Sequence, residues 1–98
     1  MTKEELKIPL AELMHDGWAE QGAKIGKQFA FRNFADAFAF MTRCAFEIEK
    51  LDHHPEWMNV YNKVMVDLTT HRAGGVTMKD IQLARIMDKI AAVFFAKG

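Results

Sequence analysis

The stretch from Phe34 to about Leu51 limits what the rest of this chain can do. At helical spacing, Phe34, Ala37, Phe38, Phe40, Met41, Cys44, Ala45, Ile48 and Leu51 fill one broad apolar face. Asp36, Arg43, Glu47 and Lys50 fill the opposite one, and Asn33 stands where an N-cap is needed. Such a helix is stable only against an apolar surface, and the flanking segments supply one. Trp18 to Phe31 reads as a hairpin turning at Gly22-Ala23, with Ile25, Phe29 and Phe31 toward the core and the Lys27 stem across its edge. Trp57 to Thr70 reads as a second hairpin with Asn62-Lys63 as the turn. That register puts Trp57, Asn59 and Tyr61 on one face with Leu68, Val66 and Val64, and Met65, Asp67, Thr69 and His71 on the other.

Residues 1–16 carry a first helix. Thr2 with Glu5 resembles a capping box, but proline disrupts a helix interior, so the main helix is expected to start near Pro9. It runs through Leu10, Leu13 and Met14 and closes at Gly17, with His15 in its last turn and without a functional role. Ala73-Gly74-Gly75 is expected as a flexible turn. Thr77 with Asp80 caps a last helix, Met78 to Ala96, whose stripe is Leu83, Ile86, Met87, Ile90, Val93 and Phe94. The order α-ββ-α-ββ-α predicts an α+β fold: one domain over residues 1–98, a four-stranded antiparallel sheet with helices packed on one face.

The central helix carries a second, narrower apolar strip of Ala35, Ala39 and Phe46, with Thr42 beside them. A helix on a sheet buries one stripe, so the face spanning residues 35–46 predicts a contact with another subunit, in a homo-oligomer. The alternative is a Phe46 tucked under a neighbouring loop. Thirteen basic residues balance 13 acidic ones, so no basic footprint argues for nucleic acid or an anionic membrane. No apolar run reaches the ~18 residues of a membrane span. The polar Met1-Thr2-Lys3-Glu4-Glu5 start is unlike a signal peptide. The one cysteine, Cys44, lies in an apolar helical pattern, which fits a reducing, cytoplasmic setting.

Three of the four histidines, His53, His54 and His71, fall in one short window where the long helix hands over to the second hairpin. An imidazole gives or takes a proton near neutrality, so such a group could supply both an acid and a base. Pro55 pushes His54 toward extended dihedrals, so both rings reach one cleft only if the chain bends at Asp52-His53. A metal site built from Asp52, His53, His54, Glu56 and His71 is the rival. Adjacent histidines chelate one ion poorly, and the spacings of known metal sites are absent. A third reading has these histidines only capping helix and strand ends.

Glu49-Lys50-Leu51-Asp52-His53-His54-Pro55-Glu56-Trp57 is followed by Val60-Tyr61-Asn62-Lys63-Val64, Leu68-Thr69-Thr70-His71, Gly74-Gly75 and Asp80. In order and spacing this resembles the pterin-4a-carbinolamine dehydratase family. Gly17-Trp18, Phe29, Phe31, Asn33-Phe34 and Ala37-Phe38-Ala39-Phe40-Met41 extend the resemblance over nearly the whole chain. It implies a dehydratase that turns 4a-hydroxytetrahydropterin into quinonoid dihydropterin, working beside a pterin-dependent hydroxylase and needing no metal, nucleotide or covalent nucleophile.

The resemblance also implies site residues. His53 and His71 would be the acid/base pair, with His54 assisting. Glu49 would orient a histidine or the guanidine-like edge of the pterin. Asp52, Pro55, Thr70, Arg72 and Ala73 would line the site, and Asp80 would steady His71 or serve only as a cap. Some relatives carry cysteine where this chain has Ala73. Trp57 and Tyr61 read as core rather than as a pterin platform. Family resemblance further implies a dimer or a tetramer, with sheet-joined dimers pairing again through helices into tetramers. It leaves open a coactivator-like module acting through the 34–51 helix, or a retained site serving another pathway such as assembly.

Overall fold

The computed structural model describes residues 3–95. The elements run α1 (Lys3–His15), β1 (Ala19–Gln21), β2 (Lys24–Ala30), α2 (Phe34–Leu51), β3 (Glu56–Val60), β4 (Lys63–Leu68), a 3₁₀ turn (His71–Ala73) and α3 (Met78–Phe95). The strands form one antiparallel sheet in the order β1-β2-β4-β3. This is the expected α+β arrangement. Thr2 and Ala96, assigned above to the first and last helices, lie outside the described residues.

Side chains alternate as a half-buried sheet requires. Ile25 and Phe29 on β2 and Val64, Val66 and Leu68 on β4 are buried toward the helices. Phe40 of α2 sits 4.9 Å from both Phe29 and Phe31, measured between ring centroids. Burying one such ring stabilises the fold by about 2–3 kcal/mol. Lys27 takes the edge position its long stem allows. Its Nζ donates to Asp88 Oδ1 on α3 at 2.7 Å, and Trp18 Nε1 donates to Asp88 Oδ2 at 3.0 Å.

Four local expectations are corrected. Helix α1 begins at Lys3 and runs through Pro9 rather than starting there. The ring forfeits one ladder hydrogen bond, but Leu6 and Leu13 are buried on either side of it, and their packing holds both halves in one helix. The second hairpin turns at Tyr61-Asn62, one residue earlier than expected, so Trp57 pairs with Val66 rather than Leu68. Asn62 is claimed by Phe31: its carbonyl accepts the Phe31 N–H and its side-chain amide donates to the Phe31 carbonyl. Tyr61 is left in the turn at φ 51°, and its side chain is exposed rather than in the core.

The buried stripe of α2 is narrower than its sequence suggests. Ala37, Phe40, Cys44 and Ile48 are buried, whereas Phe34, Phe38 and Ala45 face outward with Phe46. Finally, residues 73–75 are not a free turn. The backbones of Thr70 and Gly75 exchange two hydrogen bonds, at 3.0 and 3.3 Å, closing a small loop around the 3₁₀ turn that carries His71.

Candidate active site

The end of α2 aims the first two histidines. Asp52 adopts the left-handed conformation at φ 52° and ψ 44°, and its N–H turns back to the carbonyls of Glu49 and Ile48. The His53 N–H also reaches the Ile48 carbonyl, at 3.4 Å. This is a Schellman-type stop. It supplies the bend at Asp52-His53, so the two imidazoles leave an extended alternation and meet carboxylates on different helices.

His53 turns inward to α3. Its Nε2 lies 2.6 Å from Asp80 Oδ1, and the Asp80 side chain is fully buried. The other carboxylate oxygen, Oδ2, accepts the Thr77 N–H at 2.9 Å and the Thr70 hydroxyl at 2.7 Å. Thr70 spends its only proton on Asp80, so the 2.8 Å contact between Thr70 and Thr77 hydroxyls has Thr77 as donor. Thr77 Oγ1 in turn accepts the Lys79 N–H at 3.3 Å, completing a reciprocal cap on α3. Every donor in this chain is then assigned. Against an ionised Asp80, which accepts only, the His53 Nε2 is the donor, and in the neutral ring Nδ1 then keeps its lone pair. No buried side-chain nitrogen or oxygen among the described residues lacks a partner.

His54 points the other way, with Nε2 3.1 Å from Glu49 Oε1, and both side chains are exposed. His71, also exposed, places Nε2 3.3 Å from Oε2 of Glu56 at the start of β3. The other oxygen of Glu56 is bound by Lys24 at the start of β2. Hydrogen bonding and the charge of Lys24, with a smaller part from His71, hold the Glu56 carboxyl below its ordinary range. The same pairing, helped by Asp67 on β4, pushes the Lys24 ammonium up.

The three histidines are carried at one end of the sheet because β3 starts where β4 ends. Glu56 pairs with Asp67 in the sheet, His54 lies just before that pair, and His71 just after β4. Asp80 ties His53 to Thr70, the residue preceding His71. Asp80 therefore steadies His53, not His71 as expected. The reason is direct: its two oxygens are filled by His53, Thr70 and Thr77, while His71 is held from the opposite side by Glu56.

Pro55 is half-buried in the connection to β3. Asp52, Arg72 and Ala73 are exposed. The Thr70 hydroxyl is occupied by Asp80 and Thr77. Sequence reasoning names Glu56 only as a possible metal ligand and misses Lys24. For Glu56 the signal was its place beside the histidine pair; for Lys24 there was none, since only the β2–β4–β3 order brings it there. Cys44 takes no part: burial pushes its thiol up to about 12 and keeps it protonated. Among the described residues no three His, Cys, Asp or Glu side chains are grouped to hold a metal ion.

Known proteins resemble this chain in sequence and in fold. The family model described as pterin 4 alpha carbinolamine dehydratase matches residues 1–90. A Sinorhizobium fredii protein named "Putative pterin-4-alpha-carbinolamine dehydratase" is 60% identical over 87 residues, covering 85% of this chain and 83% of its own. A Bradyrhizobium protein of the same name is 62% identical over 78 residues, 78% of each chain. A crystal structure titled transcriptional coactivator/pterin dehydratase, from Brucella melitensis, superposes with a TM-score of 0.85 at 46% identity, covering 93% of this chain and 97% of that one. A pterin dehydratase-like protein identified as a RuBisCO assembly factor in the alpha-carboxysome gives a TM-score of 0.68 at 26% identity, covering 79% and 92%.

Proposed function

Since the chain belongs to the pterin 4 alpha carbinolamine dehydratase family, we propose that it removes water from a 4a-hydroxytetrahydropterin to give the quinonoid dihydropterin. The substrate is what a pterin-dependent hydroxylase leaves behind, and reduction of the product restores the tetrahydropterin. His53 takes the N5 proton on its free Nδ1. The N5 electron pair forms the C4a=N5 bond, the C4a–O bond breaks, and His71 as imidazolium protonates the departing hydroxyl to water. One proton is taken and one given, so no other reactant is needed.

The buried Asp80–His53 pair, 2.6 Å apart, supports this most directly. It holds the ring in one tautomer and faces the positive charge that forms on it. Glu49 and His54 suit the pterin's guanidine-like edge, where a carboxylate can accept two N–H bonds. Asp52, Pro55, Thr70, Arg72 and Ala73 form the surrounding wall. Titrating a stable dihydropterin while observing the four histidine ring resonances by NMR tests the site. Movement of His53, His54 and His71 with His15 unchanged supports it; no movement at any of the three removes it.

A second role attaches to the outer face of α2, where Phe34, Phe38 and Phe46 are 48%, 56% and 66% exposed. Three exposed aromatics on one helix mark a contact surface, and we assign it to self-association of this chain. Phe46→Asp is expected to weaken assembly by about 30-fold, the effect of losing one central aromatic anchor. Sedimentation should show the smaller species at micromolar concentration. An unchanged assembly would place the contact elsewhere and leave this face for a different protein.

A further inference from the structure

Lys24, Glu56 and His71 come from three separate elements and meet at one end of the sheet. Their order is fixed by the carboxylate, with one Glu56 oxygen on Lys24 and the other 3.3 Å from His71 Nε2. The backbone carries them rigidly. Glu56 is locked opposite Asp67 in the β3–β4 register, and Asp67 opposite Gly26 in the β2–β4 register. Gly26 has a specific part here, because a Cβ at that position would come 2.5 Å from Asp67 Oδ1. Its absence lets the Asp67 carboxylate lie across β2, on the side from which it acts on Lys24. His71 itself sits on a turn whose backbone is closed by the Thr70–Gly75 pair, which fixes where the ring is carried.

We propose that Glu56 is a positioning residue for the dehydration. Held by Lys24, it binds His71 through Nε2 and keeps that ring a proton donor to the leaving hydroxyl. This rests on the dehydratase reading for its purpose, but the pairing can be tested without it. The charged groups facing His71 are Glu56 directly, then Lys24 on β2 and Asp67 on β4 behind it.

The two members of the pair act on His71 with opposite sign. Glu56→Gln removes a negative charge and disfavours the imidazolium. Lys24→Met removes a positive charge and favours it. The His71 ring resonance, titrated by NMR, should therefore move its midpoint down in Glu56→Gln and up in Lys24→Met. Both proteins should melt near the intact protein.

The alkaline limb of kcat should follow: to lower pH in Glu56→Gln, to higher pH in Lys24→Met, with KM nearly unchanged. Coincident midpoints in all three proteins would overturn the pairing, whether or not the protein is a dehydratase. Midpoints that move while the kcat limb stays would overturn the role in the reaction. Absence of dehydration by the intact protein would instead remove the proposed function and, with it, the role of Glu56 in the reaction, while the midpoints would still decide the pairing.

Discussion

His53→Ala is expected to lower kcat for dehydration by about 10²–10⁴-fold, the usual worth of a positioned general base. His53 is the one histidine of the three that is held from inside, with 11% of its side chain exposed. Water can occupy the space left by its ring but cannot be held there as a base with a fixed lone pair. His71 and His54 remain, so KM should change far less than kcat. The substitution also strips one partner from a fully buried carboxylate, which costs about 1–3 kcal/mol. Melting should therefore be compared alongside kinetics, and the rate measured well below the melting range. Retained kcat in the folded variant would show that another group takes the N5 proton.

Asp80→Asn is the second large effect, and it separates positioning from packing. The asparagine amide has nearly the same shape, and its oxygen can accept the donors from Thr70 and Thr77. Its NH₂ then faces His53 Nε2, which must become an acceptor. The ring proton moves to Nδ1, the atom that should take the proton from N5. A base held in the wrong tautomer costs about 10³–10⁴-fold in kcat. The cap on α3 survives in part, so stability should fall by only about 1 kcal/mol. A variant with lost stability and unchanged kcat would reduce Asp80 to a helix cap.

The parts of the fold legible in the sequence were those set by local chemistry. Asn33 caps α2 through Oδ1 to the Asp36 N–H at 2.8 Å, and Thr77 with Asp80 caps α3, both as their side chains imply. The alternation of Ile25, Phe29 and Phe31 likewise placed them in the core. What failed depended on partners distant in sequence. Asn62 gave up the expected turn position because Phe31, from the other hairpin, binds both its ends. Pro9 stayed helical because Leu6 and Leu13 are anchored beneath it. The width of the α2 stripe could not be read from an apolar count, since the Phe34 and Phe38 rings pack tilted against each other at 5.7 Å outside the core.

The site divides the same way. The three histidines stood out as a cluster, and Glu49, four residues before His53, stood beside them. Their carboxylate partners were harder to read. Asp80 was visible as a cap but was expected to serve the wrong ring, because sequence distance does not say which histidine faces α3. Lys24 and Glu56 meet only once β2 and β3 flank β4, and no local pattern announces that order.

The most direct measurement is the rate at which 4a-hydroxytetrahydropterin, generated by a pterin-dependent hydroxylase, decays to quinonoid dihydropterin. It should be followed with no added protein, with the intact protein and with folded His53→Ala. Acceleration by the intact protein and decay close to the unassisted rate with the variant are expected. Equal acceleration by both would contradict the assignment of the base, and no acceleration by the intact protein would contradict the dehydratase itself.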